Sequence, residues 1–329
     1  MVVKESNFKT QATQGARFII GVLLAVTFMN VAQQALAAEN AAGVYPLGSH
    51  TPLSGALPPP GVYFANDLYY YSGDADPSHT LPFNAKLIAN VHADVWIEVP
   101  TILWSTTSLL AGGNLVFSAS LPIGGPSIDA GVGVTPPVPP IVFINAHDSV
   151  STFGDPYLTA SIGWHSETWH WTAGLGVNVP IGDYQAGEIA NVAFHRWAVD
   201  LYGGVTSLDM KTGREFSALG GFTFNGENPD TDYKTGTEFH LDFGALQHFP
   251  NGFALGLVGY YYQQLSGDSG SGAVLGDFEG RVVALGGTVE YTFKAGDTQV
   301  TTRLKVFDEF AVENRLEGTA AYFTVALPL

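Results

Sequence analysis

The chain has 329 residues, of which 46% are hydrophobic and only 13% charged, and its 30 Asp+Glu against 13 Lys+Arg give a net charge of −17. That acidity excludes a nucleic-acid binder, whose phosphate partner needs a basic face, and a basic amphipathic surface binder. The sequence has no cysteine, so an exported protein of this kind is held together by something other than disulfides.

Residues 1–38 read as a cleavable signal peptide. Lys4, Lys9 and Arg17 precede the apolar run from Phe18 to Val31, and Ala35-Leu36-Ala37 supplies a small-residue cleavage site. The apolar run is shorter than the roughly 20 residues a spanning helix needs. Cleavage would leave Ala38 or Glu39 as the first mature residue. No later stretch is long and apolar enough for a helical span. Residues 39–60 are rich in Gly, Pro and small side chains and form a periplasmic N-terminal segment or one inserted in a lumen.

From 61 onward the chain reads as alternating ribbons. Strands are expected near 61–71, 85–107, 113–122, 157–166, 168–180, 194–206, 214–225, 237–248, 252–265, 281–293, 298–310 and 318–328. In the second, Lys86, His92, Asp94 and Glu98 share one register, and Leu87, Val91, Val95, Ile97 and Val99 the other. Successive strand side chains point to opposite faces, so this ribbon has a polar and an apolar side. Arg196 and Asp200 oppose Trp197, Val199 and Leu201. Glu238, His240 and Asp242 oppose Phe239, Leu241 and Phe243. Arg303, Lys305 and Glu309 oppose Val300, Leu304 and Val306.

These strands exceed the usual length of about five or six residues, and their apolar faces end in aromatics, as membrane girdles do. Connectors alternate in length: 72–84, 122–156, 181–193, 225–236 and 266–280 are long, whereas 166–167 and 250–251 are minimal. Long outer loops and short periplasmic turns define an all-β, transmembrane, antiparallel up-and-down β-barrel of about 12 strands over 61–329. Such a protein sits in the bacterial outer membrane, with the lipid bilayer, lipopolysaccharide and the insertion machinery as partners. The alternating Phe323, Val325, Leu327 and Leu329 resemble an assembly signal.

Two features strain this register. Asn66 would face lipid in mid-strand unless a bulge shifts it, and Pro100 marks a bend or bulge in the long second strand. The segment 123–142 carries Thr135 and four prolines up to Pro140, cannot pair as a central strand, and reads as the largest outer loop, folding inward or staying outside. The loop 266–280, with Asp268, reads as a solvated acidic loop without a calcium-binding pattern.

The expected lumen is lined by Lys86, His92, Asp94, Glu98, Arg196, Asp200, Glu238, His240, Asp242, Glu290, Arg303, Lys305 and Glu309. Charges of both signs there form either an ion-pair network that fills the barrel or a polar pathway that selects what passes. Tyr69, Tyr71, Tyr260 and Tyr262 belong to an aromatic girdle or stack on an aromatic solute. Catalysis is not expected: no nucleophile elbow is present, and strand neighbours at i and i+2 lie about 7 Å apart. His165 and His170 flank a tight turn at the periplasmic rim, where solvated histidines are the plain reading; no metal and no cofactor is expected.

Several segments resemble a known family, the outer-membrane transporters associated with the meta pathway of phenol degradation: Gly154 to Trp164 (GDPYLTASIGW), Asn178 to Tyr184 (NVPIGDY), Thr231 to Gly270 and Glu313 to Gly318 (ENRLEG). The resemblance implies a porin-like channel for passive uptake of small hydrophobic or aromatic compounds. The alternatives are a structural or adhesive outer-membrane barrel with a plugged lumen and, more weakly, a barrel hydrolase.

Overall fold

The computed structural model describes residues 39, 42–75, 80–83, 86–134, 142–274, 276–277 and 279–329, with the side chains of 80–83, 86–89, 133–134 and 142–143 left outside the description. The expected signal peptide at 1–38, the proline run at 135–140 and the side chain of Lys86 therefore lie outside the described residues.

The strands are, in chain order, β1 Gly61–Asp74, β2 Thr80–Phe83, β3 Lys86–Leu110, β4 Gly113–Ser120, β5 Ile123–Val134, β6 Val142–Ser149, β7 Thr152–Phe153, β8 Tyr157–His165, β9 Trp169–Asn178, β10 Ala198–Asp209, β11 Arg214–Asn225, β12 Glu227–Asn228, β13 Tyr233–Lys234, β14 Glu238–His248, β15 Phe253–Gln264, β16 Arg281–Ala295, β17 Thr298–Glu313 and β18 Glu317–Pro328. Among the described residues, twelve of these close on themselves: β1, β3, β4, β8, β9, β10, β11 and β14 to β18, with β18 returning to β1. Every pairing is antiparallel. Closure leaves no unpaired edge, which is what a bilayer demands of a sheet.

The period-two pattern explains the wall. In β11, Glu215, Ser217, Thr223 and Asn225 are buried, and Phe216, Phe222 and Phe224 are exposed. Leu257 is 72% exposed and Trp96 55%. A continuous belt of exposed Leu, Val, Phe and Trp around a closed sheet would be untenable in water and is what lipid contacts. The chain is a transmembrane β-barrel of twelve strands, as the alternation predicts.

The second strand departs from expectation. At 25 residues, β3 extends roughly 80 Å, far beyond the 9–11 residues a tilted membrane strand needs. Its lower half pairs with β4 and its upper half with β5. The segment expected to be an unpaired loop is thus largely strand: β5 and β6 form a hairpin that carries the wall outward. The alternation Pro126, Ile128, Ala130 against Ser127 and Asp129 allows this, because it repeats the two-faced pattern of the wall.

The join between β4 and β5 needs glycine. At Gly124 (φ 135°) an added Cβ would lie 2.2 Å from the Trp96 carbonyl oxygen, and at Gly125 (φ 158°) 2.3 Å from that of Val150. Positive φ and close backbone approach together restrict these sites to residues without a Cβ. Pro100 itself causes no register shift with β1; the irregularities in β3 fall between Ala89 and His92 and between Ser105 and Leu109.

Candidate functional site

The inner face of β10, β11, β14 and β17 carries most of the buried charge. Arg196, Asp200, Glu215, Glu238, His240, Asp242, Lys305 and Glu309 are all buried. Charges removed from water need partners, and residues 42–58 of the chain's own N-terminal segment supply many of them. Asp242 accepts from the Tyr45 hydroxyl at 3.0 Å, the Gly48 amide at 2.9 Å and the His50 amide at 3.1 Å. The Lys305 ammonium donates to the carbonyls of Gly48, Ser49 and Thr51 at 2.6, 2.9 and 3.1 Å. Leu53 donates its amide to Glu215 and Gly55 its amide to Thr206. At the lower end Ser105 donates to the Pro58 carbonyl.

The segment lies flat against the wall because its sequence is small. A Cβ at Gly55 would come within 2.5 Å of the His170 carbonyl. Tyr45 stacks on His240 with ring centroids 3.5 Å apart, and His240 holds Asp200 at 2.8 Å. At the upper end Glu39 faces Arg196 at 3.5 Å and takes hydrogen bonds from Asn228 and Thr231. Burial raises the Glu39 pKa, and the Arg196 charge opposes it.

Across the lumen from that belt lies a cavity of about 610 Å³. Its wall is apolar on the β3 side, with Val95, Ile97, Val99 and Leu103, and aromatic on the β1, β15 and β18 side, with Tyr69, Tyr71, Tyr260 and Tyr322. The Tyr71 and Tyr260 hydroxyls donate to Glu309 at 2.9 and 2.7 Å, and that of Tyr322 to the Leu47 carbonyl at 2.8 Å. Arg303 grips Glu290 through two bonds of 2.8 and 2.6 Å.

One loop closes over the cavity through Asp155. Its carboxylate accepts from the Asn178 side chain at 3.0 Å and from the amides of Gly182, Phe194 and His195 at 2.9, 2.9 and 3.0 Å. This clamp holds residues 193–196 out of the strand expected to begin at 194, so β10 starts at Ala198. It also packs Val192 and Phe194 on the cavity.

Of the residues expected to line the lumen, Arg196, Asp200, Glu238, His240, Asp242, Glu290, Arg303, Lys305 and Glu309 face inward. Tyr69, Tyr71, Tyr260 and Tyr262 do too. His92, Asp94 and Glu98 do not. The β1–β3 register sets Tyr71 against Val95, Tyr69 against Ile97 and Asp67 against Val99, so the apolar side of β3 faces the cavity and the charged side faces out. In the upper half His92 bonds Asp74 at 2.9 Å and Asp94 at 3.3 Å, and on β5 and β6 Asp129 bonds His147 at 2.9 Å. The outward extension of the wall places this polar row where it meets water rather than lipid. The expectation of a solvated Asp268 is also corrected. It is buried, bonded by the Tyr233 hydroxyl, by the Gly236 amide at 3.0 Å and by Gln264 at 2.6 Å, and burial pushes its pKa up to about 6.

Sequence reasoning missed Asp155, Glu215, Asp67 and Arg315 as inward groups. Asp155 and Arg315 both lie in segments that carry the family resemblance, which was the available signal.

Comparison with known proteins gives three findings. Residues 72–325 match the model of a family described as "Putative MetA-pathway of phenol degradation". No curated protein matches. Among solved structures, a COG4313 outer membrane channel from Pseudomonas putida F1 is similar in fold, at a TM-score of 0.63 and 15% identity over 84% of this chain and 98% of that one. A Pseudomonas aeruginosa FadL homologue aligns over 81% and 88% at 10% identity and a TM-score of 0.38.

Proposed function

The chain belongs to the family described as MetA-pathway of phenol degradation, and from that premise we propose that it is an outer-membrane channel for passive uptake of small hydrophobic or aromatic compounds. The observation that carries this reading is the cavity of about 610 Å³ inside a closed barrel, apolar on one wall and ringed by tyrosines on the other. Pockets of a few hundred Å³ with apolar and aromatic linings suit small organic ligands. A water-filled general pore would instead present polar groups all round. The Pseudomonas putida protein of similar fold is itself an outer membrane channel, which agrees with the proposal. Uptake here needs no energy source, because a solute held by burial of apolar area moves down its own gradient.

The inner-wall charges serve two roles in this reading. Asp242, Lys305 and Glu215 hold the N-terminal segment, and Glu309, Arg303 and the tyrosines border the solute path. A plugged structural barrel is the second reading, favoured by the eight hydrogen bonds that tie residues 45–55 to Asp242, Lys305, Glu215 and Thr206.

Purified protein in liposomes tests both. The channel reading expects entry of a small aromatic solute such as benzyl alcohol or phenol above that of protein-free vesicles, and slower growth on an aromatic carbon source when the gene is deleted. No acceleration in liposomes together with unchanged growth overturns it and favours the plug.

A further inference from the structure

Resting on that channel reading, we propose that the cavity selects solutes carrying a carboxylate on an aromatic or short apolar body, and that Arg315 is the residue that recognises the acid.

The charged side chains that line the cavity are Asp67, Asp155, Arg303, Glu309 and Arg315. Four of them are already occupied. Asp67 accepts from the Thr324 hydroxyl. Asp155 takes four donors. Glu309 takes the Tyr71 and Tyr260 hydroxyls and the Gly318 amide at 3.0 Å. Arg303 is spent on Glu290. Arg315 differs: its Nη1 is buried and has no hydrogen-bond partner among the described residues. Its guanidinium carbon sits 4.3 Å from the centre of the Tyr262 ring, which holds the charge against an aromatic face. The Glu309 and Glu238 carboxylates lie near enough to act on its charge, but neither hydrogen-bonds Nη1; Glu238 is engaged by Tyr262 at 2.6 Å and Asn225 at 2.8 Å.

A guanidinium stays charged at any physiological pH. Leaving one of its donors buried without an acceptor costs about 1–3 kcal/mol. A solute that suits this wall therefore carries a hydrogen-bond acceptor, and an anionic one matches best, because Arg binds carboxylates through paired N–H donors. The remaining surface fits the rest of such a molecule. Hydroxyls of Tyr71, Tyr260 and Tyr322 already point at protein acceptors, so these residues offer ring faces rather than free donors to a solute. The opposite wall offers Val95, Ile97 and Val99. An amine would meet Arg315 with like charge. A plain hydrocarbon would leave Nη1 as it is.

Arg315 sits in the three-residue turn between β17 and β18, on the same side of the barrel as the long outer loops. That places the recognising group at the outer end of the cavity, where a solute arriving from outside meets it first.

The test uses the full mature chain in detergent, with benzoate, benzyl alcohol and benzylamine as probes, followed by tyrosine and tryptophan fluorescence and by solute entry into liposomes. Wild type should bind benzoate at least tenfold more tightly than benzyl alcohol, and benzylamine most weakly. Arg315→Met should lose that preference and bind benzoate no better than benzyl alcohol. Arg315→Lys should recover part of the preference. Equal binding of benzoate and benzyl alcohol by wild type, or an unchanged preference in R315M, overturns the proposal while leaving the channel intact. Failure of benzyl alcohol to enter with wild type counts instead against the channel reading itself.

Discussion

Asn66 donates its side-chain amide to the Glu98 carboxylate at 2.8 Å, between neighbouring strands β1 and β3, on the outer face of the barrel. The two stand below the Tyr70–Trp96 ring pair, whose centroids are 4.5 Å apart, and above the row formed by Phe64 and Ile102. Neither suits lipid alone; each satisfies part of the other. Glu98→Leu is expected to leave the barrel folded but strand the Asn66 amide, at a cost of about 1 kcal/mol. The double variant N66L/E98L should recover that loss and exceed wild type. The temperature at which the detergent-solubilised barrel loses its fast-migrating gel form reports this. A double variant less stable than either single would show that the pair does more than complete itself.

The same pair marks where sequence stops being enough. Alternation gave the strand count and the inward placement of Glu238, His240, Asp242, Arg303, Lys305 and Glu309, because on those strands the polar side faces a polar interior. On β3 the pattern is equally clean but its sign is reversed. His92 and Asp94 face water on the part of the wall that rises beyond the bilayer, Glu98 faces outward beside Asn66, and the apolar side lines the solute cavity. Periodicity fixes which residues share a face and is silent on which medium that face meets. Asp155 and Arg315 escaped the alternation for a different reason: both act from turns, where position depends on contacts between distant segments rather than on any local period.

Lys305 holds the N-terminal segment through three carbonyl oxygens, and its charge lies in a fully buried position. Lys305→Met leaves those carbonyls without donors and Asp242 without a nearby cation. Breaking a buried charged network of this kind costs on the order of 3–5 kcal/mol. The segment should loosen before the wall does, since the barrel's own ladder is untouched. Single-channel conductance in planar bilayers should rise or become noisy in K305M, and a protease should cut near Ser49 in the variant and not in wild type. Equal conductance and equal protection would mean that the segment is held by its other contacts.

Asp155 ties two loops together with four hydrogen bonds. Asp155→Ala removes all of them and leaves the Phe194 and His195 amides without their acceptor, for an expected loss of about 3 kcal/mol of local stability. Amide exchange at Phe194 and His195 should speed up strongly, with little change in β14 or β15. Solute entry should also change, because Val192 and Phe194 border the cavity. Unaltered exchange at these two amides would show that the loop is held by packing rather than by the carboxylate.

Asp268 gives a pH dependence whose sign can be worked out. Burial raises its carboxyl from an ordinary 3.8 to about 6. Below pH 3.8 the group is protonated both in the folded protein and when its loop is released. Between 3.8 and about 6 the folded form alone keeps the proton, so the fold binds more protons and its local stability falls as pH rises. Above about 6 both forms are ionised and the full penalty, about 3 kcal/mol for a shift of this size, is in place. Asp268→Asn should flatten this profile. Its carbonyl oxygen still accepts from Gly236 and Gln264, and its amide can donate to the Tyr233 oxygen. Amide exchange at Lys234 and Gly236, compared between wild type and D268N at each pH from about 4 to about 7.5, cancels the intrinsic pH effect on exchange. The wild-type protection should drop relative to D268N as pH rises to about 6 and then level off; a constant ratio across that range would mean that Asp268 stays ionised throughout.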